Sequence, residues 1–407
     1  MSRPNVTIKT IDESLVAPIG ETQSSTRGAM VSLNGLIDNL GTTAEQNINL
    51  MVIENLSEWS GRLRTYAENR LVAESGFAGV TLFSAIGACA AGYIDSNTST
   101  TRKAWHKEWW AMHNYLQYGG VGIIGSTSDT LASLLDPTQT FDVIFQGGTL
   151  TADETNLKTV VEAKRLTDSA VIGVVSNTNS ISNGMSKVSS TADEFYINVW
   201  GNKYHLNGFG TDTGETSSLI LSNLSPDVAG CLARTDREAY SWISPAGRRR
   251  GRILNVVRLH TNPTNTQQDY LYDAGINPVV TFPGEGTILF GDKTGQADTS
   301  TLSRINVSRL FIYLRKVIAP IARGILFEIN DATTQTRFRM AADNVLRNVL
   351  GSGGISDYRI ICDSSNNTPD LVQSRIFVAD ILVKPAISIN FIRITFTNKN
   401  LTSDLGG

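Results

Sequence analysis

The sequence predicts a mixed α/β fold in which helices pack on β-sheets. Short apolar runs alternate with a longer amphipathic run in "FDVIFQGG", "NLKTVVEAKRLTDS" and "AVIGVVS", which predicts strand, helix and strand in turn. The chain has 407 residues, 41% hydrophobic and 18% charged, so it can bury more core than one domain usually holds. We therefore expect at least two domains.

The N-terminal residues, 1–28, are predicted to form an arm. Val6, Ile8 and Ile11 offer only a short extended apolar edge among proline, glycine and serine. Helical spacing then predicts helix in the block from Leu33 to Leu71, most clearly in "NLSEWSGRLRTYAENRL".

A further helix is predicted from Arg102 to Gln117, because this apolar run is followed by two glycines and then by the strand-like "VGIIG". This helix, the strand-helix-strand unit above and the strand "FYINVW" together make up an N-terminal α/β region, residues 29–224.

A soft domain boundary is placed before Ser225. Ser225 is predicted to cap the next helix, with Pro226 at its first position.

The C-terminal core, residues 225–385, is predicted to contain two long helices. Apolar residues recur every three or four positions from Val307 to Ile318, and Pro320 is expected to end or kink that helix. The second runs from about Thr336 to Leu350 and stops at "GSGG". Further along the chain, the apolar run "SRIFVADILV" predicts a strand.

Residues 386–407 are predicted to be a C-terminal strand and arm. Ile392, Ile394 and Phe396 alternate with polar residues, and the tail after them has nothing to bury.

Composition excludes several function classes. A net charge of −3 with scattered basic residues gives no surface for nucleic acid. Cys89, Cys231 and Cys362 have neither a disulfide framework nor a zinc spacing. The apolar run from Val80 to Ile94 is shorter than the ~20 residues that span a bilayer. We expect a soluble protein without a membrane partner.

One motif nearly matches a phosphate-binding loop. Gly286, Gly291, Lys293 and Thr294 follow its spacing, but Asp292 intervenes and brings negative charge to the place of the phosphate. The residues between the glycines are strand-like, which would commit their backbone amides to a neighbouring strand. A phosphate- or nucleotide-binding α/β enzyme is therefore kept only as an alternative.

No other group of residues predicts catalysis or a cofactor. The histidines have no metal-ligand spacing, and His113 beside three tryptophans suits packing. The "CDSSNNTPD" run lacks the glycine and glutamate of a calcium loop and predicts a turn. We expect no enzyme activity, no metal and no cofactor.

The densest charge cluster is "SPAGRRRGR", with Arg248, Arg249, Arg250 and Arg252. It is either a solvated turn or a docking surface for an acidic partner, and the 38 acidic residues of the chain could supply that surface in a homo-oligomer.

The segments "INPVVTFPGEGTILFGDKTG", "RINVSRLFIYLRKVI", "YRIICDSSNNTPDLV" and "FVADILVKPAISINFIRITF" follow one another in the last third of the chain. Together they resemble the contractile tail sheath proteins of long-tailed, myovirus-type bacteriophages. The resemblance is strong from about Ser225 onward and weaker before it.

This resemblance implies a sheath-type core with extended N- and C-terminal arms that complete a small sheet in neighbouring subunits. It implies hexameric rings, stacked helically around a tail tube protein and joined to baseplate and tail terminator proteins. The sheath would be part of the virion tail, would be assembled in the host cytoplasm and would contract to drive the tube through the host envelope. A static tail tube subunit is the other structural alternative.

Overall fold

The computed structural model describes residues 26–32, 36–48, 50–73, 106–126, 131–136, 138–147, 150–165, 167, 170–177, 191–206, 219–296 and 300–389. The strands in these ranges are β1 Arg27–Ser32, β2 Leu50–Ile53, β3 Val121–Ser126, β4 Val143–Phe145, β5 Ile172–Asn177, β6 Tyr196–Trp200, β7 Asn202–Leu206, β8 Leu219–Asn223, β9 Arg258–Leu259, β10 Ile276–Phe282, β11 Gly286–Leu289, β12 Ile355–Ile361 and β13 Asp380–Pro385.

The helices are α1 Leu36–Leu40, α2 Thr43–Ile48, α3 Leu56–Ala73, α4 His106–Leu116, α5 Ala132–Leu135, α6 Leu150–Lys164, α7 Ser225–Glu238, α8 Gly247–Arg250, α9 Asn265–Asp273, α10 Ile305–Arg323, α11 Ala332–Gly351 and α12 Pro369–Gln373. The mixed α/β fold class predicted from the sequence is confirmed. Among these helices, none has both the length and the apolarity required to cross a membrane.

An eight-stranded sheet with the order β11-β10-β6-β5-β4-β1-β3-β2 forms the centre of the fold. Six neighbouring strands, from β10 to β3, run parallel, and β11 and β2 close the two edges in the antiparallel sense. Parallel strands are covered on both faces, which is why β4 and β6 are fully buried and, apart from Asn198 of β6, carry no amide or charged side chain. The strand-helix-strand unit of β4, α6 and β5 is the predicted one.

A second apolar cluster lies around α10 and α11 and includes one face of a separate two-stranded sheet, β12–β13. A third sheet has the order β8-β7-β9. Helix α7, which begins at Ser225, packs on strands β4 and β5 of the large sheet and on helix α4. Residues on both sides of the domain boundary predicted before Ser225 therefore share one core. The division into two domains at this point stays a prediction.

Two local predictions were wrong, the first of them only in part. Within the block from Leu33 to Leu71, the segment with the clearest helical spacing forms α3 as predicted, but the apolar residues of β2 form a strand that pairs with β3 and closes the sheet edge. Ser225 does not cap α7: its hydroxyl donates to the carbonyl of Val174 at 2.6 Å and accepts from the amide of Gln146 at 3.1 Å. These tertiary bonds use the hydroxyl group that a cap would need.

Of the two effects predicted for Pro320, an end or a kink of the helix, the end is not observed, because α10 continues to Arg323. Proline removes one amide from the hydrogen-bond ladder, and here the final turn of the helix forms without it. Several predicted positions lie outside the described residues, namely Cys89, the run from Val80 to Ile94, and the arm residues Val6, Ile8, Ile11, Ile392, Ile394 and Phe396.

Candidate assembly surface

The two-stranded sheet β12–β13 leaves two strand edges without a partner strand among the described residues. The strands pair antiparallel from Ile355 opposite Pro385 to Ile361 opposite Asp380, with an irregularity after Ile355. Ile381 and Val383 point into the second cluster, so this sheet is fixed to the body through one face. A strand edge presents free N–H and C=O groups, and an extended peptide can bind there by pairing with them.

The turn that follows β12 holds the far end of this sheet. Asn367 exchanges two hydrogen bonds of 2.8 Å with the backbone of Val378, and Asn366 donates to the carbonyl of Ile361 at 2.8 Å and to Asp380 at 2.8 Å. The "CDSSNNTPD" run is therefore the predicted turn, with its amides serving as structural donors. In the described ranges no group of three or more His, Cys, Asp or Glu residues has a metal-binding arrangement.

At the near end of the sheet, the chain leaving β13 is tied to the body. The amide of Ala386 donates to the carbonyl of Gly354 at 3.0 Å, and Asn306 donates to the carbonyl of Ala386 at 3.1 Å. Ser388 donates from its hydroxyl to the carboxylate of Asp292. The start of the predicted C-terminal arm thus has a fixed position.

Asp292 is the centre of this attachment. Besides Ser388, it accepts from the hydroxyl of Tyr272 at 3.2 Å and lies 3.4 Å from the guanidinium of Arg304. Burial and the charge of Asp292 raise the pKa of Tyr272 to about 12, so the phenol remains a donor at neutral pH. The residue that breaks the phosphate-loop signature therefore has a structural role.

The rest of that motif also lacks the geometry of a phosphate cradle. Gly286 and the three residues after it form β11, whose backbone is paired with β10. The Lys293 side chain is buried, with Nζ 4.2 Å from the centre of the Tyr272 ring. The Lys293 amide donates to Asn277 at 2.8 Å. These contacts do not favour the nucleotide-binding alternative.

The predicted arginine cluster lies on and just after the single turn of α8. Arg248, Arg249 and Arg252 are exposed, and Arg250 is partly buried with its Nε donating to the carbonyl of Ser244 at 2.8 Å. Partial burial, and then the charge of Arg249, lower the pKa of Arg250. Four positive charges in five residues make a strongly cationic surface next to β11.

The histidines of the large core are packed side chains. His113 stacks on Trp109 with ring centres 4.9 Å apart and meets Trp110 edge-on at 4.9 Å. His205 lies 4.6 Å from Trp110 and bonds Ser222 at 2.8 Å. Burial, reinforced by nearby positive charge, lowers the pKa of both rings to about 3.

Two family models match the chain. The phage tail sheath protein central domain matches residues 126–295, and the phage tail sheath C-terminal domain matches residues 297–399.

Two curated relatives are similar over less than half of the chain. The tail sheath protein of Vibrio phage KVP40 is 44% identical over 181 residues, which are 44% of this chain and 27% of that protein. The tail sheath protein of Enterobacteria phage T4 is 43% identical over 173 residues, which are 42% of this chain and 26% of that protein. The matched part is about a quarter of the length of these relatives.

Two solved structures share the fold over nearly the whole chain. The contracted sheath complex of an extracellular contractile injection system, PVC, aligns with a TM-score of 0.68 at 16% identity and covers 98% of each chain. The contracted helical sheath of the anti-feeding prophage aligns with a TM-score of 0.67 at 16% identity, covering 98% of this chain and 100% of that one.

Proposed function

Because the chain belongs to the phage tail sheath protein family, we propose that it is the structural subunit of a contractile tail sheath. Copies of the chain stack as hexameric rings around a tail tube protein and meet baseplate and tail terminator proteins at the ends. The assembly forms in the host cytoplasm and becomes part of the virion tail. Contraction drives the tube through the host envelope, and the subunit performs no catalysis.

The observation that carries this proposal is the two edges of β12–β13, which pair with no other strand in the part of the chain that the structure describes. The C-terminal arm, with Ile392, Ile394 and Phe396, has the alternating pattern of a strand that could pair there. The N-terminal arm, with Val6, Ile8 and Ile11, offers a short extended apolar edge that could do the same. Each backbone hydrogen bond contributes about 1 kcal/mol net. About five such bonds and a few buried side chains therefore give several kcal/mol per link.

Links of this strength explain how a sheath could change shape and stay connected. The folded bodies move outward during contraction while the arms hold each subunit to its neighbours. An extended lattice that is metastable releases its energy without a nucleotide. The same contact repeated with a rotation and a rise builds a helical tube.

The arginine cluster supplies a second kind of contact. Arg248, Arg249, Arg250 and Arg252 dock against an acidic surface of a neighbouring copy, where opposite charges fix the register of the two subunits. The exposure of three of these four side chains supports this role.

Two truncations test the arm-mediated links. Deletion of residues 1–20, or truncation after Pro385, is expected to leave a folded subunit that no longer forms long tubes, because a donated strand joins copies more than it stabilises one. Circular dichroism checks the fold, and sedimentation with negative-stain microscopy checks assembly. Tubes of undiminished length from either truncated protein would refute the arm-mediated links.

A further inference from the structure

An open groove with a volume of about 770 Å³ lies where the C-terminal segment leaves the β12–β13 sheet. Its lining includes Trp242, Tyr272, Phe290, Ile387 and Ile389. Phe290 is 48% exposed, Ile387 65% and Ile389 83%, so part of the apolar lining of the groove faces solvent. A groove of this size and lining is suited to the apolar side chains of a short peptide segment.

The groove continues one end of the two-stranded sheet. Ile355 begins β12 opposite Pro385, which ends β13, and the flanking residues Gly353 and Ala386 both line the groove. A strand added to either free edge of this sheet would therefore run into the groove when it passes this end. The position links the groove to the strand-addition site described above.

Positive charge borders the groove on the side of α8. Arg250 is part of the lining, and Arg248 and Arg249 belong to the same helical turn. Arg248 lies 3.5 Å from Glu285, and Arg249 forms no ion pair within the described ranges. Of the two acidic residues in the lining, Asp292 is already bonded to Arg304, and Asp269 is exposed. The α8 side thus favours an occupant with negative charge next to apolar residues.

The N-terminal arm carries that pattern. In "VTIKTIDESLVAP", the strand-like residues end at Ile11 and are followed at once by Asp12 and Glu13, with Leu15 and Val16 two residues further on. The C-terminal arm has the positively charged Arg393 among its apolar residues instead. If this arm occupied the groove, Arg393 would lie next to the α8 arginines and be repelled by them.

Building on the proposed function, we propose that the groove of one subunit binds residues 12–16 of a second copy. Asp12 and Glu13 face the α8 arginines, and Leu15 and Val16 cover Phe290 and Ile387. The arm strand that ends at Ile11 then meets the end of the sheet where β12 begins. It therefore runs antiparallel to β12, or parallel to β13 if it takes the other edge.

Cysteine cross-linking in assembled tubes tests both occupant and direction. Leu15→Cys combined with Ile387→Cys should give disulfide-linked multimers, whereas Leu15→Cys with Ser364→Cys, an exposed residue at the opposite end of the sheet, should not. A Ser364 cross-link would show the reverse direction, and a cross-link within one chain would show the subunit's own arm in the groove. Either result, or tubes with no cross-link at Ile387, would overturn the proposal. The chain without the added cysteines is the control for its native thiols.

Charge reversal gives an independent test. Asp12→Lys with Glu13→Lys should raise the protein concentration needed for assembly at least about tenfold, and so should Arg248→Glu with Arg249→Glu. Combining all four changes should restore assembly to within about threefold of wild type. Additive losses in the combined variant would overturn the pairing. Failure of the wild-type chain to assemble would instead reject the proposed function.

Discussion

At the scale of single residues, the most demanding contact is a buried ion pair. Lys203 Nζ lies 2.8 Å from Asp227 Oδ1, and both side chains are 0% exposed. Tyr118 donates to the same oxygen at 2.9 Å, and Lys203 also donates to the carbonyl of Leu254 at 2.9 Å. Burial lowers the pKa of Lys203 and raises the pKa of Asp227, and each charge opposes the shift of the other. The contacts join β7, α7 and the segment after α4.

Removing one partner should leave the other charge buried and unpaired. Lys203→Ala is expected to lower the free energy of unfolding by about 3–5 kcal/mol, measured by urea denaturation of the unassembled subunit. The matched control is Lys384→Ala, which removes an exposed ion pair with Asp357 and should leave the midpoint close to wild type. Equal small effects of both changes would show that the buried pair adds little to stability.

The two buried histidines predict how stability depends on pH. The pKa of His113 and of His205 is about 3 in the folded chain, against an ordinary value of about 6.5 when unfolded. Below pH 6.5 the unfolded chain therefore binds protons that the folded chain does not. Their contribution to stability is present at higher pH and falls as the pH drops, by about 1.4 kcal/mol per histidine and pH unit.

His113→Phe isolates the contribution of one ring. Between pH 7.5 and 5.5 the wild-type subunit is expected to lose about 1.4 kcal/mol more stability than this variant, measured from urea midpoints at both pH values. The same pH dependence in both proteins would mean that folding leaves the pKa of His113 close to its value in the unfolded chain.

At the scale of secondary-structure elements, the apolar face of α10 is central to the second cluster. Phe311 and Leu314 are buried there against residues of α11 and the two-stranded sheet. Phe311→Ala and Leu314→Ala should each destabilise the subunit by about 2–5 kcal/mol in denaturant unfolding. Met340→Ala, at an exposed position of α11, is the control and should change little. A midpoint near wild type for both core variants would contradict the packing of this face.

Elements with a long periodic pattern were predictable from the sequence. Helices α4, α6, α10 and α11 and the apolar strands between Val121 and Trp200 follow from spacing and glycine positions. The four residues of β2 could not be predicted in this way, because so short an apolar run becomes a strand only through its pairing with β3. The cap at Ser225 failed for the same reason, since its partners lie on distant strands.

The candidate surface was predictable only in part. The arginine cluster is visible because its residues are adjacent in sequence. The bond between Asp292 and Ser388 joins residues 96 positions apart, and the groove is lined by seven separate parts of the chain, so no local pattern indicates them. Lys203 and Asp227 give no signal either, since isolated charges in a sequence are usually exposed.

At the scale of the whole molecule, α10 connects the two apolar clusters. Ile305 and Ile312 belong to the core of the large sheet, whereas Leu310 and Leu314 belong to the second cluster. Lys316 adds an ion pair of 2.7 Å with Asp142 beside β4. One helix shared by both cores couples them mechanically, which agrees with the proposal that the folded body moves as a nearly rigid unit during contraction.

Cryo-electron microscopy of tubes formed by the full-length protein tests the central claim most directly. We expect a hollow helical tube in which both edges of every β12–β13 sheet carry an added strand, with density that continues to the body of another subunit. A tube in which these edges carry no added strand would contradict the claim. So would a full-length protein that stays monomeric at the concentrations used to compare it with the truncated variants.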